Sequence, residues 1–223
     1  MTYVFQFGIV LDQFHRMLEG AWLTVQLSVG ALVLGLAVAA TGAFVLTAGP
    51  KPLRAPVTAY VEAIRNTPLL IQLYVIFFAL PGLGVRLDAN HAALAALVIN
   101  FGAYATEILR AGVQSVPVGQ IEAGRALNLT RFQIYRFVVL FPAVKAVFPA
   151  LASQFVLLML GSSVVSAISA SELTAISNTL QSTTFRAFEV FIIASLIYLA
   201  IAAAFRGAFA AIYWVVFVRG RGR

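Results

Sequence analysis

The sequence contains no cysteine among its 223 residues. This absence excludes disulfide bonds, thiolate catalysis and cysteine-ligated metal sites, and it leaves the redox compartment open. Charged residues are also scarce, at 10% of the chain, whereas 61% of the residues are hydrophobic. Ordinary soluble domains have about a quarter charged residues and about half apolar ones. A soluble core of this length cannot absorb so much apolar surface, which predicts a chain surrounded mainly by lipid.

Long apolar stretches predict an all-α membrane protein with five transmembrane helices. A bilayer core of about 30 Å requires about 20 apolar residues per helix. The residues before the first stretch are too polar to cross and are amphipathic, so we expect 1–19 to form an external or interfacial segment with a short surface helix over 4–19. Residues 20–223 are predicted to form the membrane domain. Its spans are expected at 20–47, 57–80, 91–113, 138–162 and 188–217.

Basic residues predict the orientation of these spans, because cytoplasmic connections carry an excess of Lys and Arg. One side of the membrane receives only Arg16, Arg86 and Arg186. The N-terminus is therefore expected outside and the C-terminus in the cytoplasm. The net charge of +7 is interpreted as membrane topology rather than nucleic-acid binding. The basic residues assigned to the cytoplasmic side are Lys51, Arg54, Arg110, Arg125, Arg131, Arg136, Lys145, Arg219, Arg221 and Arg223.

Arg65 and Arg206 remain after this assignment, and both fall inside predicted spans, where an unpaired charge is costly. Glu62 precedes Arg65 by about one helical turn, so a helix can pair them as an anchor near the cytoplasmic interface. Arg206 is predicted about two turns from the cytoplasmic end of the last span and can extend its side chain to the interface. Pro68 is expected to kink the second span locally, because proline removes a backbone hydrogen bond.

Small residues recur every four positions in the first and last spans, which allows close helix packing within this chain or with another chain. They are Ala31, Gly35, Ala39 and Ala43 in the first span and Ala203, Gly207 and Ala211 in the last. The outer connection 163–187 is rich in Ser and Thr. Ser169 and Glu172 have capping-box spacing there, so we expect a short helix to begin at that point.

The cytoplasmic connection between the third and fourth spans predicts two helices joined by a sharp turn. Pro117 suits the first turn of a helix, and Asn128 is suited to a left-handed cap at its end. Thr130 and Gln133 form a capping-box pattern that begins a second helix, which continues into the fourth span.

The first of these helices is a candidate docking element for another protein. Its small residues allow close approach, and its charged residues lie at the margin. The docking loop is predicted over 114–137, with Gly119, Glu122, Ala123, Gly124, Arg125, Ala126 and Asn128 as candidate docking residues.

This segment resembles the permease subunits of type I ABC importers, in the branch that takes up polar amino acids. The family's cytoplasmic hallmark is Glu-Ala-Ala, three residues, Gly, and an apolar segment ending in Leu-Pro. The corresponding residues here are Glu122-Ala123-Gly124, Asn128 and Leu140-Phe141-Pro142. The chain departs from the pattern in Gly124 for Ala, in Asn128 for Gly, and in a proline one position late.

Further stretches extend the resemblance over nearly the whole chain. They are Glu62-Ala-Ile-Arg65-Asn-Thr67-Pro68-Leu-Leu-Ile-Gln72, Ala103-Tyr104-Ala-Thr-Glu107-Ile-Leu-Arg110, Gly119-Gln120 and Phe185-Arg186-Ala-Phe188-Glu189. The resemblance implies an amino-acid permease of the bacterial inner membrane, paired with an identical or homologous second permease. It also implies two ATPase subunits that receive the docking helices, and a periplasmic solute-binding protein. The chain has no G-x-x-x-x-G-K-[ST] phosphate loop, so ATP and magnesium are expected on the partner, and no cofactor on this chain.

Polar residues inside two spans are candidates for the substrate pathway. Asn100, Tyr104 and Glu107 share one face of a helix, and Arg65, Leu69 and Gln72 are expected to share another. These faces either contact the polar ends of an amino acid or form hydrogen bonds that only hold the bundle together. The candidate pathway residues are Arg65, Gln72, Asn100, Tyr104 and Glu107, with Glu62 and Pro68 as structural residues.

Three other functions are alternatives to an ABC permease. An ion-coupled secondary transporter of small polar solutes also places polar groups in spans, but it usually has repeats that are not evident here. An intramembrane hydrolase needs a nucleophile beside a base, and no histidine falls within a predicted span beside a serine. An assembly subunit without a transport role is the third alternative. His15 and His91 lie far apart without ligand-like neighbours, so no metal-ligating or catalytic residue is expected.

Overall fold

The computed structural model describes residues 3–219, and the predicted cytoplasmic Arg221 and Arg223 lie outside this part of the chain. Its α-helices are α1 (Phe7–Leu11), α2 (Phe14–Thr47), α3 (Lys51–Arg65), α4 (Leu69–Tyr74), α5 (Ala89–Gln114), α6 (Val118–Ala126), α7 (Arg131–Gln133), α8 (Leu140–Gly161), α9 (Leu173–Thr184) and α10 (Ala187–Tyr213). Wider or tighter turns continue several of them: the π-helical Val75–Ala79, Ile134–Val139 and Trp214–Val218, and the 3-10 helical Leu80–Leu83 and Ser162–Ile168.

Four continuous helical segments are long and apolar enough to cross a membrane. They are Phe14–Thr47, Ala89–Gln114, Arg131–Ile168 and Ala187–Val218. The segments Lys51–Arg65 (α3) and Leu69–Leu83 are bent by 110° where they meet, and the pair counts as a fifth span when the two are taken together. The all-helical membrane fold is therefore confirmed, whereas the prediction that 57–80 is one span with only a local kink at Pro68 is wrong.

The break in the second span has a local cause at Pro68. Proline has no N–H to donate, and its ring disfavours helical backbone in the residue before it. Here α3 ends at Arg65, and Pro68 has extended backbone angles at the start of α4. The Gln72 amide then donates to the carbonyl oxygens of Ile64, at 2.8 Å, and Thr67, at 3.0 Å. These bonds compensate for helical hydrogen bonds that the break removes, so Pro68 produces two helices rather than a local kink.

The N-terminal segment also differs from the prediction of a separate surface helix over 4–19. Only α1 is a short helix, and α2 already begins at Phe14. With 34 residues, α2 is about 51 Å long, well beyond the core thickness of about 30 Å. The residues from Phe14 to Glu19 therefore form the N-terminal turns of the first membrane helix and not a separate surface helix.

The small residues of α2 pack within the chain. Ala31 and Ala39 are fully buried, and a Cβ atom on Gly35 would lie 2.8 Å from a ring carbon of Phe101 in α5. In contrast, Ala203, Gly207 and Ala211 of α10 are exposed, and no atom lies within 4 Å of a Cβ placed on Gly207. The first group of small residues therefore allows α2 to pack closely against α5. The second group packs against no other helix among residues 3–219.

The connection 163–187, between the fourth and the last span, is held by a buried carboxylate. The predicted helix is present as α9, but its cap is Glu172 rather than Ser169, which has left-handed backbone angles. The Glu172 side chain accepts hydrogen bonds from the Ala175 N–H at 2.9 Å and the Tyr198 hydroxyl at 2.6 Å. Burial raises the pKa of this carboxyl, and the hydrogen bonds oppose that rise in part. The contacts tie α9 to α10.

The start of α10 holds the N-terminal residues. Glu189 accepts hydrogen bonds from the Tyr3 hydroxyl and from the Gln6 N–H. Arg186 donates to the carbonyl oxygen of Val4 at 3.2 Å and to the Gln6 side chain at 2.6 Å. Arg186 and Glu189, which belong to one of the stretches that resemble the family, therefore hold the N-terminal residues against the start of α10.

Candidate docking surface and membrane pathway

Local capping chemistry builds the predicted helix, turn and helix between the third and fourth spans. The first helix, α6, begins directly after Pro117, and Asn128 has the left-handed φ of 59° that turns the chain. Thr130 and Gln133 form the predicted capping box, with reciprocal hydrogen bonds of 2.8 and 3.3 Å to each other's backbone N–H. All three predictions are confirmed.

Gly124 lies on the inner side of α6, facing its own chain. It is buried, and a Cβ atom at this position would lie 3.1 Å from Ile134 Cγ1. Ile134 belongs to a small apolar cluster with Val116, Val139 and Ala143 at the base of the fourth span. The prediction that Gly124 contributes to the outward docking face is therefore wrong. Its lack of a side chain instead lets α6 pack closely on the fourth span.

The outward face of α6 combines charge with exposed apolar side chains. The other candidate docking residues, Gly119, Glu122, Ala123, Arg125, Ala126 and Asn128, are all exposed. Leu127 and Phe132 are each 75% exposed, and Val118 is 67% exposed. We call these nine residues the docking surface. The last three did not appear among the sequence candidates, although apolar side chains beside a polar turn were a signal that could have identified them.

The late proline does not interrupt the fourth span, which is helical from Arg131 to Ile168. The stretch Ile134–Val139, just before Phe141-Pro142, is π-helical. Such i→i+5 bonding is a known way to re-satisfy backbone groups near a helix disturbance. Phe132 of the docking surface thus lies on the continuous helix of the fourth span, and the turn at Asn128 separates that helix from α6.

Two buried amides, Gln72 and Asn100, meet beside the break in the second span. The Asn100 amide donates to Gln72 Oε1 at 3.0 Å, and each residue is only 8% exposed. Gln72 donates in turn to Ile64 and Thr67 across the break. This arrangement matches the interpretation in which polar groups hold the bundle together.

Of the remaining candidates, Arg65 and Glu107 line a polar cavity of about 340 Å³ between α3 and α5. The Tyr104 hydroxyl donates to the Arg65 carbonyl oxygen at 3.4 Å. The Arg65 guanidinium lies 5.6 Å from the Tyr104 ring centroid, and Glu107 forms a two-pronged ion pair with Arg110. No ion pair joins Glu62 to Arg65 in the described chain, so that predicted pairing is wrong. The predicted common face of Arg65 and Gln72 is also wrong, because α3 ends between them.

Comparisons with known proteins agree with this architecture. A family model described as "Binding-protein-dependent transport system inner membrane component" matches residues 28–213. The probable glutamine ABC transporter permease protein of Bacillus subtilis is 39% identical over 196 residues, covering 86% of this chain and 89% of that protein. The octopine transport system permease protein of Rhizobium meliloti is 35% identical over 212 residues, covering 91% of this chain and 86% of that protein.

Solved structures give the same result. The structure titled "Crystal structure of an amino acid ABC transporter with histidines" matches with a TM-score of 0.89 and 32% identity, covering 96% of this chain and all of that one. An inward-facing methionine ABC transporter matches in fold, with a TM-score of 0.79 and 21% identity over 92% of this chain and 98% of that one. The similarity extends over nearly the whole chain, including the docking surface and the break in the second span.

Proposed function

The chain belongs to the family of binding-protein-dependent transport system inner membrane components, and from this premise we propose that it is the permease subunit of an ATP-driven amino-acid importer. The substrate class is supported by the relatives, which are named as permeases for glutamine, octopine and cystine. The chain is a multi-pass membrane protein. We place it in the bacterial inner membrane, with its N-terminus periplasmic and its C-terminus cytoplasmic.

The docking surface carries the proposal. It combines large exposed apolar side chains, Leu127 and Phe132, with the charges of Glu122 and Arg125. These residues lie on α6, on the turn after it and on the capped start of the next helix. Exposed apolar residues rimmed by polar ones are typical of a protein interaction site. The partner we propose is an ABC ATPase subunit, which binds ATP and magnesium because this chain has no phosphate loop.

The packing of α6 indicates how the partner's movement reaches the membrane. Gly124 fits against Ile134, and Ile134 lies in the same continuous helix as the fourth span. A displacement of α6 therefore moves the fourth span rather than only bending a loop. In the complete importer we propose two ATPase subunits, a second permease subunit, identical or homologous, and a periplasmic binding protein that delivers the amino acid.

The polar cavity beside α3 is a candidate for the cytoplasmic part of the substrate pathway. Arg65 and Glu107 line it, together with Arg110 and Gln114 at the end of α5. Tyr104 contacts Arg65 through a hydrogen bond to its carbonyl oxygen. Charged groups at membrane depth are expected to face water or a partner rather than lipid. Gln72 and Asn100 support this region from the buried side, and their proposed role is to hold the break in place.

The test is uptake of labelled amino acids by inner-membrane vesicles that contain the complete importer. Uptake that requires ATP hydrolysis and continues after ion gradients are collapsed supports the proposal. Glu122→Lys should abolish ATP-driven uptake and co-purification of the ATPase, because it reverses the charge at the centre of the docking surface. Glu19→Lys makes the same change at an exposed position in the first turns of α2 and should leave both unchanged. Uptake driven by an ion gradient alone would support a secondary transporter instead.

A further inference from the structure

Arg206 is an exposed charge near the middle of the last span. The helix and its continuation cover Ala187–Val218, so the midpoint falls between residues 202 and 203. Arg206 lies about 5 Å beyond that midpoint at 1.5 Å per residue. Polar contacts mark both ends of the same helix: Arg186 and Glu189 at one end, and the Lys145 ammonium donating to the Phe217 carbonyl oxygen at the other. A hydrocarbon core of about 30 Å centred on this helix extends about 15 Å to each side of the midpoint, which includes the Arg206 Cα.

The side chain of Arg206 has no partner in the described chain. It makes no hydrogen bond, ion pair or aromatic stacking contact with residues 3–219. An unpaired arginine at this depth is costly against lipid. The interpretation that it extends to the cytoplasmic interface is also disfavoured, because Cα–Cβ bonds of a helix point toward its N-terminus. In α10 that direction leads toward the membrane centre and away from Val218.

The surroundings of Arg206 differ from the other exposed side of α10. Arg206 lines two adjoining cavities between α8 and α10, of about 460 and 540 Å³. Ser163, Ser195 and Tyr198 line the outer one, and Ser153 lines the inner one. The Tyr198 hydroxyl donates to Glu172 and the Ser163 hydroxyl to the Leu160 carbonyl oxygen, so the hydroxyls without a hydrogen bond within residues 3–219 are those of Ser153 and Ser195. In contrast, the groove between α2 and α10 is lined only by apolar side chains. The α8–α10 groove is thus the exposed side of α10 that offers polar groups to a ligand.

We propose that the α8–α10 groove forms a wall of the transport pathway and that Arg206 binds the carboxylate of the transported amino acid. A guanidinium recognises a carboxylate through two parallel charge-assisted hydrogen bonds. Every amino acid carries an α-carboxylate, so this contact suits a pathway that accepts different side chains. The inference rests on the proposed function, and it adds a binding residue outside the candidates on α3, α4 and α5.

The first test is uptake of an equimolar mixture of the twenty labelled L-amino acids by proteoliposomes with the complete importer. Arg206→Gln should lower uptake about ten-fold or more, as expected when a charged hydrogen-bond pair is lost. Its ATP hydrolysis without binding protein should stay within about two-fold, because α6 is unaltered. Arg206→Lys, which keeps the charge, should lie between Arg206→Gln and the wild type. Arg219→Gln removes an arginine at the end of the same helix and should transport like the wild type.

Two outcomes of this test would overturn the proposal in different ways. Normal uptake by Arg206→Gln would refute the carboxylate contact while leaving the proposed function intact. Wild-type complexes that hydrolyse ATP but take up neither the twenty amino acids nor octopine or cystine, for which relatives are named, would refute the proposed function, and the role of Arg206 with it.

A second test does not alter Arg206 and covers the case in which its variants fail to assemble. Because the chain has no cysteine, single cysteines can be introduced at Ser153 and Ser195 in the groove and at Ala204 on the apolar side of α10. All three positions are exposed. A charged, water-soluble thiosulfonate should label Ser153→Cys and Ser195→Cys but leave Ala204→Cys unreacted. Groove cysteines as unreactive as Ala204→Cys would show a lipid-facing groove and overturn the proposal.

Discussion

Replacing Gln72 with leucine tests whether the buried amides hold the break in the second span. Leucine is similar in size but removes every polar contact of the side chain. The Gln72 amide donates to Ile64 O at 2.8 Å and to the two oxygens of Thr67 at 3.0 Å, and its oxygen accepts from Asn100 at 3.0 Å. The substitution therefore loses about three hydrogen bonds, with the Thr67 contacts counted as one shared bond.

The expected loss in the free energy of unfolding follows from these contacts. A hydrogen bond between membrane helices is worth about 0.6 kcal/mol on average, and a typical intramolecular one about 1 kcal/mol. Three such bonds give about 2–3 kcal/mol, and the unsatisfied Asn100 amide adds about 1 kcal/mol. We expect Gln72→Leu to destabilise the protein by about 3–4 kcal/mol. Adding Asn100→Leu should cost less than its separate effect, because the partner is already absent.

The measurement is unfolding of the purified protein by SDS in mixed micelles, followed by circular dichroism. Gln181→Leu is the matched control, because Gln181 in α9 makes no side-chain hydrogen bond within residues 3–219. Protease cleavage between residues 65 and 69 should also become faster in Gln72→Leu. A variant with unchanged stability but altered transport selectivity would refute this reasoning and identify Gln72 as a substrate contact.

Two further predictions concern packing and docking. Gly112→Ala should destabilise the bundle by about 1–3 kcal/mol, because a Cβ atom there would lie 2.6 Å from Val147 Cγ1 in α8; Gly207→Ala meets no neighbour and should be neutral in the same SDS titration. Leu127→Ser should weaken co-purification of the ATPase about ten-fold without changing stability in that titration, since it removes a large exposed apolar side chain from the docking surface; unchanged co-purification would exclude Leu127 from the interface.

The helix α6 and the turn after it were predictable from sequence, because local interactions determine where they begin and end. Pro117 starts α6, Asn128 can adopt left-handed backbone angles at low cost, and Thr130 bonds with Gln133 three residues later. None of these features depends on a distant part of the chain. The apolar stretches likewise predict membrane helices, since length and hydropathy are sufficient for that conclusion.

Features that depend on tertiary contacts could not be predicted in the same way. Ser169 and Glu172 are both plausible caps by spacing, and burial of Glu172 against Tyr198 decides between them. Helical periodicity places Arg65 and Gln72 on one face only if the helix continues through Pro68. Whether Pro68 bends or breaks the helix depends on Gln72 and Asn100, because their hydrogen bonds replace some of those that a break removes.

The side of a helix that meets a partner is a further property that hydropathy does not report, because lipid and a protein partner both accept apolar surface. Small residues have different surroundings in two helices. Phe101 of the same chain occupies the space beside Gly35, whereas the space beside Gly207 is open. Gly124 in α6 and Leu127 directly after it show the same division, since Gly124 is buried against Ile134 and Leu127 is 75% exposed. Residues without contacts inside the described chain are therefore the best indicators of where a partner or a ligand binds in the complete importer. Arg206 is the strongest example, because contact between an arginine and lipid is costly.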